Sequence, residues 1–382
     1  MAIYLSLKEL WRLRGRFLLV SLVIALITLL VLFIAGLAEG LGAGNIEYLS
    51  KLNAEVIVYQ ENSQQSISAS RLDRSRLNDV ARLAGVQAVG PIGVSNATIV
   101  FADNRKPIEV SLLGIEPGKP GDVPIREGQT FSSRRANEAV IDRNTAYRTQ
   151  LKPGDTLTLK TVQGTNEEFY ALKVAGLSEG QQFFLRPSVF VPDMTWDKIR
   201  PRGGEPTNSE LTYNVFAVQL NDSTQVKAMQ QLIAQRLERV ETADLITAYQ
   251  KTPGYAEQQA TLDTQRIFTL IIGVLVIGGF FQIQTLQKVP QIGMLKAIGA
   301  RNRTVAVASI FQVTLVTIIG VAIGAALTLL LAASFPVTVP IVFKANTTLV
   351  ALVSLLLIGP IGGLVSVRYS LRIEPLRALG LG

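Results

Sequence analysis

Charge-free apolar runs dominate the pattern along the chain. Phe17–Ala38 carries no charge for 22 positions, Ile267–Gln287 for 21, Thr304–Phe343 for 40 and Ala345–Val367 for 23. A bilayer-spanning helix needs about 20 such residues. The third run is too long for one span, and Pro336 and Pro340 break its end, so a helix over 304–334 followed by a short turn is expected. The spans predicted are therefore 17–38, 267–287, 304–334 and 345–367. The first run exceeds the 7–15 apolar residues of a signal peptide, which favours an uncleaved helix.

Between the first and second runs the pattern changes to short periodic segments, reading as a mixed α/β domain over 39–266. Ala54–Tyr59, Ser95–Phe101, Pro107–Leu113, Thr156–Thr161, Phe169–Leu177 and Asn214–Leu220 have strand character. Asp103-Asn104 and Gly164 suit hairpin turns. Arg71–Ala84 and Thr224–Val240 have helical spacing, the first stopped by Gly85. Joints rich in Pro and Gly at Glu116–Pro124 and Pro201–Asn208 suggest two lobes, with residues 123–200 as a strand-rich insert. A polar, helix-compatible stalk is expected over 255–266.

Lysine and arginine sort onto one side of this layout. Lys8, Arg12, Arg14 and Arg16 precede the first span; Lys288, Lys296, Arg301 and Arg303 lie between the second and third; Arg368, Arg372 and Arg377 follow the fourth. Only Glu9 and Glu374 oppose them. Basic loops stay in the cytoplasm. The expectation is a multi-pass protein of the bacterial plasma membrane, both termini cytoplasmic, with residues 39–266 outside. The net charge of +8 then reports topology; no nucleic-acid partner is expected. Residues 1–16 fit an amphipathic helix with Ile3, Tyr4, Leu7, Leu10 and Trp11 on one face, suited to lying on membrane lipids.

The chain has no His and no Cys. That excludes His/Cys zinc sites, Ser-His-Asp triads and disulfides. No phosphate-binding G-x-x-x-x-G-K-[ST] loop occurs. No catalytic residue, metal ligand or cofactor is assigned to this chain.

The loop 288–303 reads KVPQIGMLKAIGARNR. Its core, Gln291, Ile292, Gly293, Met294, Leu295, Lys296, Ala297, Ile298 and Gly299, fits a short helix. Ile292, Leu295 and Ile298 would insert into a partner's groove. Glu39, at the outer end of the first span, and nearby Tyr48 are candidate substrate contacts. The spacings Gly36-x-x-x-Gly40, Gly320-x-x-x-Gly324 and Gly359-x-x-x-Gly363 permit close helix approach.

The core of that loop resembles the E-I-G-x-x-x-A-x-G-A coupling segment of the FtsX/MacB/LolC permease superfamily, with Gln291 where many relatives carry Glu. Glu374-Pro375-Leu376-Arg377-Ala378-Leu379 resembles its closing D/E-P-x-x-A-L motif. Gly15-Arg16-Phe17, Ala35–Gly42, Thr285–Lys288 and Leu295–Ala297 resemble the HrtB branch, permeases of haem-exporting ABC systems. The resemblance implies four helices (one, then three) around a MacB-like extracytoplasmic domain, a homodimer, two copies of a separate ABC ATPase that would hold ATP and magnesium and dock at 291–299, and an amphipathic cargo such as haem. It also leaves open an FtsX-like signalling role, lipoprotein or lipid handling, and a membrane-fusion or other extracytoplasmic partner.

Overall fold

The computed structural model describes residues 8, 11–12, 14–103, 105–202, 211–252, 254–287, 289–299, 301–335 and 339–371. Most of the amphipathic N-terminal segment and the closing motif after 371 lie outside the described residues. Two compact units are present, Gly42–Gln258 and a unit formed by Met1–Leu41 with Gln259–Gly382.

The first unit is built on one ten-stranded sheet. Its strands are β1 (Val56–Gln60), β3 (Val86–Val100), β4 (Ile108–Ile115), β5 (Ile125–Gly128), β6 (Glu138–Asp142), β7 (Thr156–Gln163), β8 (Asn166–Ser178), β9 (Ser188–Pro192), β11 (Val215–Leu220) and β12 (Val240–Asp244). They lie in the order β12-β1-β11-β3-β4-β9-β6-β8-β5, with β7 bridging β3 and β8. A separate ribbon pairs β2 (Leu72–Asp73) with β10 (Thr212–Tyr213). Pairing is antiparallel except at β4–β9 and β6–β8.

The central strands are buried on both faces. Val56 and Val58 enter one core while Ile57 and Tyr59 enter the other. Phe216 and Val218 likewise oppose Val215 and Ala217. Two-sided burial explains why these strands read as unbroken apolar runs instead of alternating ones. The helices α2 (Arg74–Ala81), α3 (Arg143–Thr149), α4 (Asp193–Ile199), α5 (Val226–Arg236) and α6 (Leu245–Gln250) complete this unit. On α4, Trp196 sits over the register pair Gly93 and Gly114. A Cβ at either glycine would come within 2.5 Å of the indole, so only glycine admits it.

Two sequence expectations are corrected here. The insert 123–200 is not a separately folded lobe: β5–β9 continue the same sheet through β4–β9 and β3–β7. The helix expected to reach Val240 stops at Arg236, where Leu237 turns extended (φ −113°, ψ 128°). Val240–Asp244 instead pairs with Gln60–Val56, and those backbone bonds outweigh the helical spacing of Leu237 and Val240.

The second unit holds the apolar helices. They are α1 (Arg14–Ser50), which runs on into the first unit, α7 (Tyr255–Gln287), the short α8 (Val289–Ala297), α9 (Asn302–Ser334) and α10 (Ala345–Leu371). Among the described residues, four stretches are long and apolar enough to cross a membrane: Arg14–Gly44, Tyr255–Gln287, Asn302–Ser334 and Ala345–Gly363. The stalk expected over 255–266 is one continuous helix with the second span. Phe17, Ile24, Ile277, Phe281, Val313 and Leu355 share the core between them.

Glycines set the packing. Gly320 and Gly324 of α9 rest on Ser21–Thr28 of α1. Gly359 and Gly363 of α10 rest on Thr317 and Val313 of α9. The ascending order of the first contacts makes α1 and α9 parallel; the descending order of the second makes α10 antiparallel to α9. Gly36 and Gly40 differ from the expected helix contact, because the non-helical segment 339–344 lies on them. The Val342 amide donates to Gly36 O at 3.0 Å, and a Cβ on Gly40 would fall 1.7 Å from Pro340 O.

Candidate functional site

At the end of the bundle that carries Arg14, Arg16, Arg301 and Arg303, α8 links α7 to α9. Pro290 occupies its first turn, where a missing N–H costs nothing. Gly299 ends it with φ +98°, its amide donating to Lys296 O at 3.0 Å. Nine helical residues thus end at a sharp stop.

The faces of α8 are distinct. Ile292 is 7% exposed and Gly293 is buried. Met294 is 56% and Ile298 81% exposed, and Gln291 and Ala297 are exposed as well. Gln291, Met294 and Ile298 fall at i, i+3 and i+7, one stripe of a helix. The expectation that Ile292 inserts into a partner is therefore corrected, since Ile292 packs inward and Met294 takes its place on the outer stripe. The side chain of Leu295 lies outside the described residues. Lys296 is half-buried beside the stripe. Arg16 Nη2 donates to Gln287 Oε1 and ties the start of α1 to the end of α7, next to α8.

Glu39 directly follows the charge-free run of α1. It forms an ion pair with Lys344 Nζ, and its Oε2 accepts from Thr347 Oγ1 at 3.2 Å. The carboxylate is 19% exposed and the ammonium 61%. A signal for this pairing exists in the sequence: Lys344 is the lone charge between Thr304 and Val367. Pairing and partial solvation are what a carboxylate at a bilayer boundary requires.

Tyr48 is a different case, and its reading as a substrate contact is corrected. It is 1% exposed, and its hydroxyl donates to Gly121 O at 2.8 Å. Phe190 and Phe183 pack on its ring at 5.5 and 6.3 Å between centroids. Burial, with Asp122 adding to it, pushes the phenol far above its usual range. Tyr48 anchors the last turn of α1 into the domain core and has no free surface to offer a ligand.

Among the described residues, no group of three or more acidic, His or Cys side chains is placed to hold a metal ion. The candidate sites of the membrane unit are thus the Glu39–Lys344–Thr347 cluster at one end and the exposed stripe of α8 at the other.

Comparison with known proteins follows the same division. Residues 17–236 match the MacB-like periplasmic core domain, and residues 267–375 match the FtsX-like permease C-terminal domain. The hemin transport system permease protein HrtB of Staphylococcus haemolyticus is 26% identical over 98% of this chain and 99% of its own. The macrolide export ATP-binding/permease protein MacB of Shewanella sp. strain ANA-3 is 22% identical over 91% of this chain and 56% of its own. The extracellular domain of the transporter YknZ from Gram-positive bacteria aligns with a TM-score of 0.37 at 15% identity, covering 49% of this chain and 98% of that domain. With one matched domain covering more than half of its length and the second covering the remaining helices, the chain belongs to the FtsX/MacB family of ABC transporter permeases and is a membrane protein.

Proposed function

We propose that this chain is the permease subunit of an ABC exporter that moves an amphipathic substrate, haem, outward. Two copies would form the permease, and two copies of a separate ATPase would dock on α8. The observation that carries the docking is the stripe of Gln291, Met294 and Ile298. An apolar side chain 81% exposed at the arginine-rich end of the bundle has reason to stay exposed if a partner covers it. The positive-inside rule puts that end in the cytoplasm and Gly42–Gln258 outside. The haem assignment rests on the end-to-end similarity to a hemin transport permease.

Force applied to α8 has short routes outward. Its C-terminal stop, Gly299, is three residues from the start of α9, and α9 packs on α1 through backbone-close glycine contacts. α1 is one continuous helix from Arg14 to Ser50. α7 likewise runs unbroken from Tyr255 to Gln287.

The test is coexpression with the neighbour-encoded ATPase. Met294→Asp with Ile298→Asp is expected to abolish ATPase co-purification and haem tolerance of the host together, with the permease still inserted. Retained co-purification overturns the docking assignment. Intact co-purification by wild type with no effect of the system on haem tolerance overturns the cargo, and favours the signalling role instead.

A further inference from the structure

Within the unit Gly42–Gln258 lies a cleft of about 550 Å³ walled by Arg71, Arg186, Phe183, Phe184, Ser95 and Ser111. Small-molecule sites run from roughly 300 to 1,000 Å³. Among the described residues no acidic side chain lines it, and Glu109 Oε2 lies 3.8 Å from Arg186 Nη1 beside it. Phe183 and Ser111 form its floor, each 2% exposed. The Arg71 guanidinium is held at the rim by Ser68 O and Ser70 O at 2.8 and 2.7 Å. Arg186 Nη1 donates to Asn96 Oδ1 at 3.3 Å. The cleft thus combines an aromatic wall with two cations and several hydroxyls.

One wall is held in strain. The Arg186 amide donates to Phe183 O at 3.2 Å, closing a turn whose central residues, Phe184 and Leu185, have φ of +54° and +56°. Two left-handed central residues are the mark of a type I′ turn, which favours Asn-Gly. Phe and Leu adopt that backbone only when the surroundings impose it. Here the turn places Phe184 in the cleft and Leu185 over Gly44, where a Cβ would meet Leu185 Cδ2 at 2.6 Å. The preceding residue is tied to α1 as well: Tyr48 N donates to Gln182 O at 3.1 Å, and Gln182 N to Glu47 Oε2 at 3.3 Å. The cleft wall is therefore tied to the last turns of α1.

We infer that this cleft binds a carboxylate amphiphile, its acidic head on Arg186 and Arg71 and its apolar body against Phe184, as a station for cargo that has left the bilayer. The inference rests on the outward direction proposed above. A porphyrin dicarboxylate and a fatty acid share this chemistry, and the test separates them.

The chain has two tryptophans, Trp11 and Trp196. Trp196 Nε1 donates to Ser95 Oγ at 3.0 Å, so in a Trp11→Phe background it reports on the cleft. The full chain in nanodiscs is titrated with hemin and, separately, with a bromo-fatty acid, a short-range quencher that does not need direct contact with the indole. Saturable quenching by at least one probe is expected. Arg186→Glu should raise the dissociation constant about tenfold or more. Phe184→Gly should weaken binding while raising the thermal midpoint, because glycine relieves the left-handed φ; a purely structural role would not separate the two readouts. Quenching that never saturates, or both variants binding like wild type, overturns the inference. Binding without host haem tolerance overturns the haem cargo and leaves the cleft standing. Haem tolerance with no saturable quenching overturns the cleft alone.

Discussion

Glu39 and Lys344 pair across 305 positions of sequence, the carboxylate from α1 and the ammonium from the residue just before α10. Thr347 adds a hydrogen bond from the first turn of α10. With Lys344 61% exposed, the pair should contribute less than about 1 kcal/mol to stability. Glu39→Gln is therefore expected to leave the thermal midpoint of the detergent-solubilised protein within a degree or two of wild type. A fall in export by this variant, measured as host haem tolerance, would then be a functional effect; a large loss of stability would show the pair to be structural.

The glycines under the segment 339–344 make a sharper prediction. Gly40→Ala puts its Cβ against the Pro340 carbonyl, a backbone atom that no rotamer change can remove. Overpacking of this kind costs about 1–3 kcal/mol. Gly15→Ala is the matched control in the same helix: nothing lies within 4 Å of its Cβ, and alanine should gain about 0.5–1 kcal/mol of helix propensity. Opposite shifts of the thermal midpoint are expected. Equal shifts would mean that the segment does not rest on Gly40.

The membrane helices were legible because charge is nearly forbidden in a bilayer, so their absence of charge marks them. Their ends were not. Gly40, Gly42 and Gly44 look like a helix stop after Ala38, yet α1 continues to Ser50 because Tyr48 and Leu49 bury in the domain core beyond them. Strands with one wet face, such as β7 and β8, announced themselves by alternation around Gly164. β6 and β9 did not, since Ala139–Ile141 and Val189–Val191 are buried on both sides. At the coupling segment the helix and its glycine stop were readable. Which face met the bundle was not, because spacing gives the faces of a helix but not what lies beside each. That is how Ile292 stood in for Met294. Tyr48 was chosen for its nearness to Glu39 in sequence, and only the packed structure places Phe183 and Phe190 around it.

Asp142 caps α3, accepting from the Thr145 amide at 2.6 Å. Burial raises its pKa to about 6; hydrogen bonds from Thr145 lower it in part, and the nearby Glu47 adds to the rise. The folded protein therefore binds a proton here that the unfolded chain releases near pH 4. The stability from this group is full below that value and is lost as pH rises through about 6. Asp142→Asn keeps a capping oxygen without the charge. At pH 8 it should be more stable than wild type by on the order of 2 kcal/mol, and the gap should close toward pH 4. A pH-independent difference in thermal midpoint would refute the buried ionisation.

Arg134 forms an ion pair with the fully buried carboxylate of Asp193. Arg134 Nε donates to Asp193 Oδ1 at 3.0 Å and Nη2 to Oδ2 at 2.5 Å. Tyr213 Oη donates to the same Oδ2 at 2.6 Å, and Glu116 lies 3.2 Å from Arg134. Asp193 is fully buried, and its hydrogen bond and charge hold Arg134 protonated even beyond its usual range. Removing the cation alone strands a buried carboxylate, so Arg134→Ala should cost about 3–5 kcal/mol. Tyr213→Phe removes one of the bonds to that carboxylate and should cost about 1.5–3 kcal/mol. The decisive variant is Arg134→Ala combined with Asp193→Asn, which removes both charges and should recover a large part of the loss. Trp196, stacked on Tyr213 with ring centroids 6.4 Å apart, reports the unfolding by its fluorescence. Strictly additive losses in the double variant would show that the two residues are not coupled.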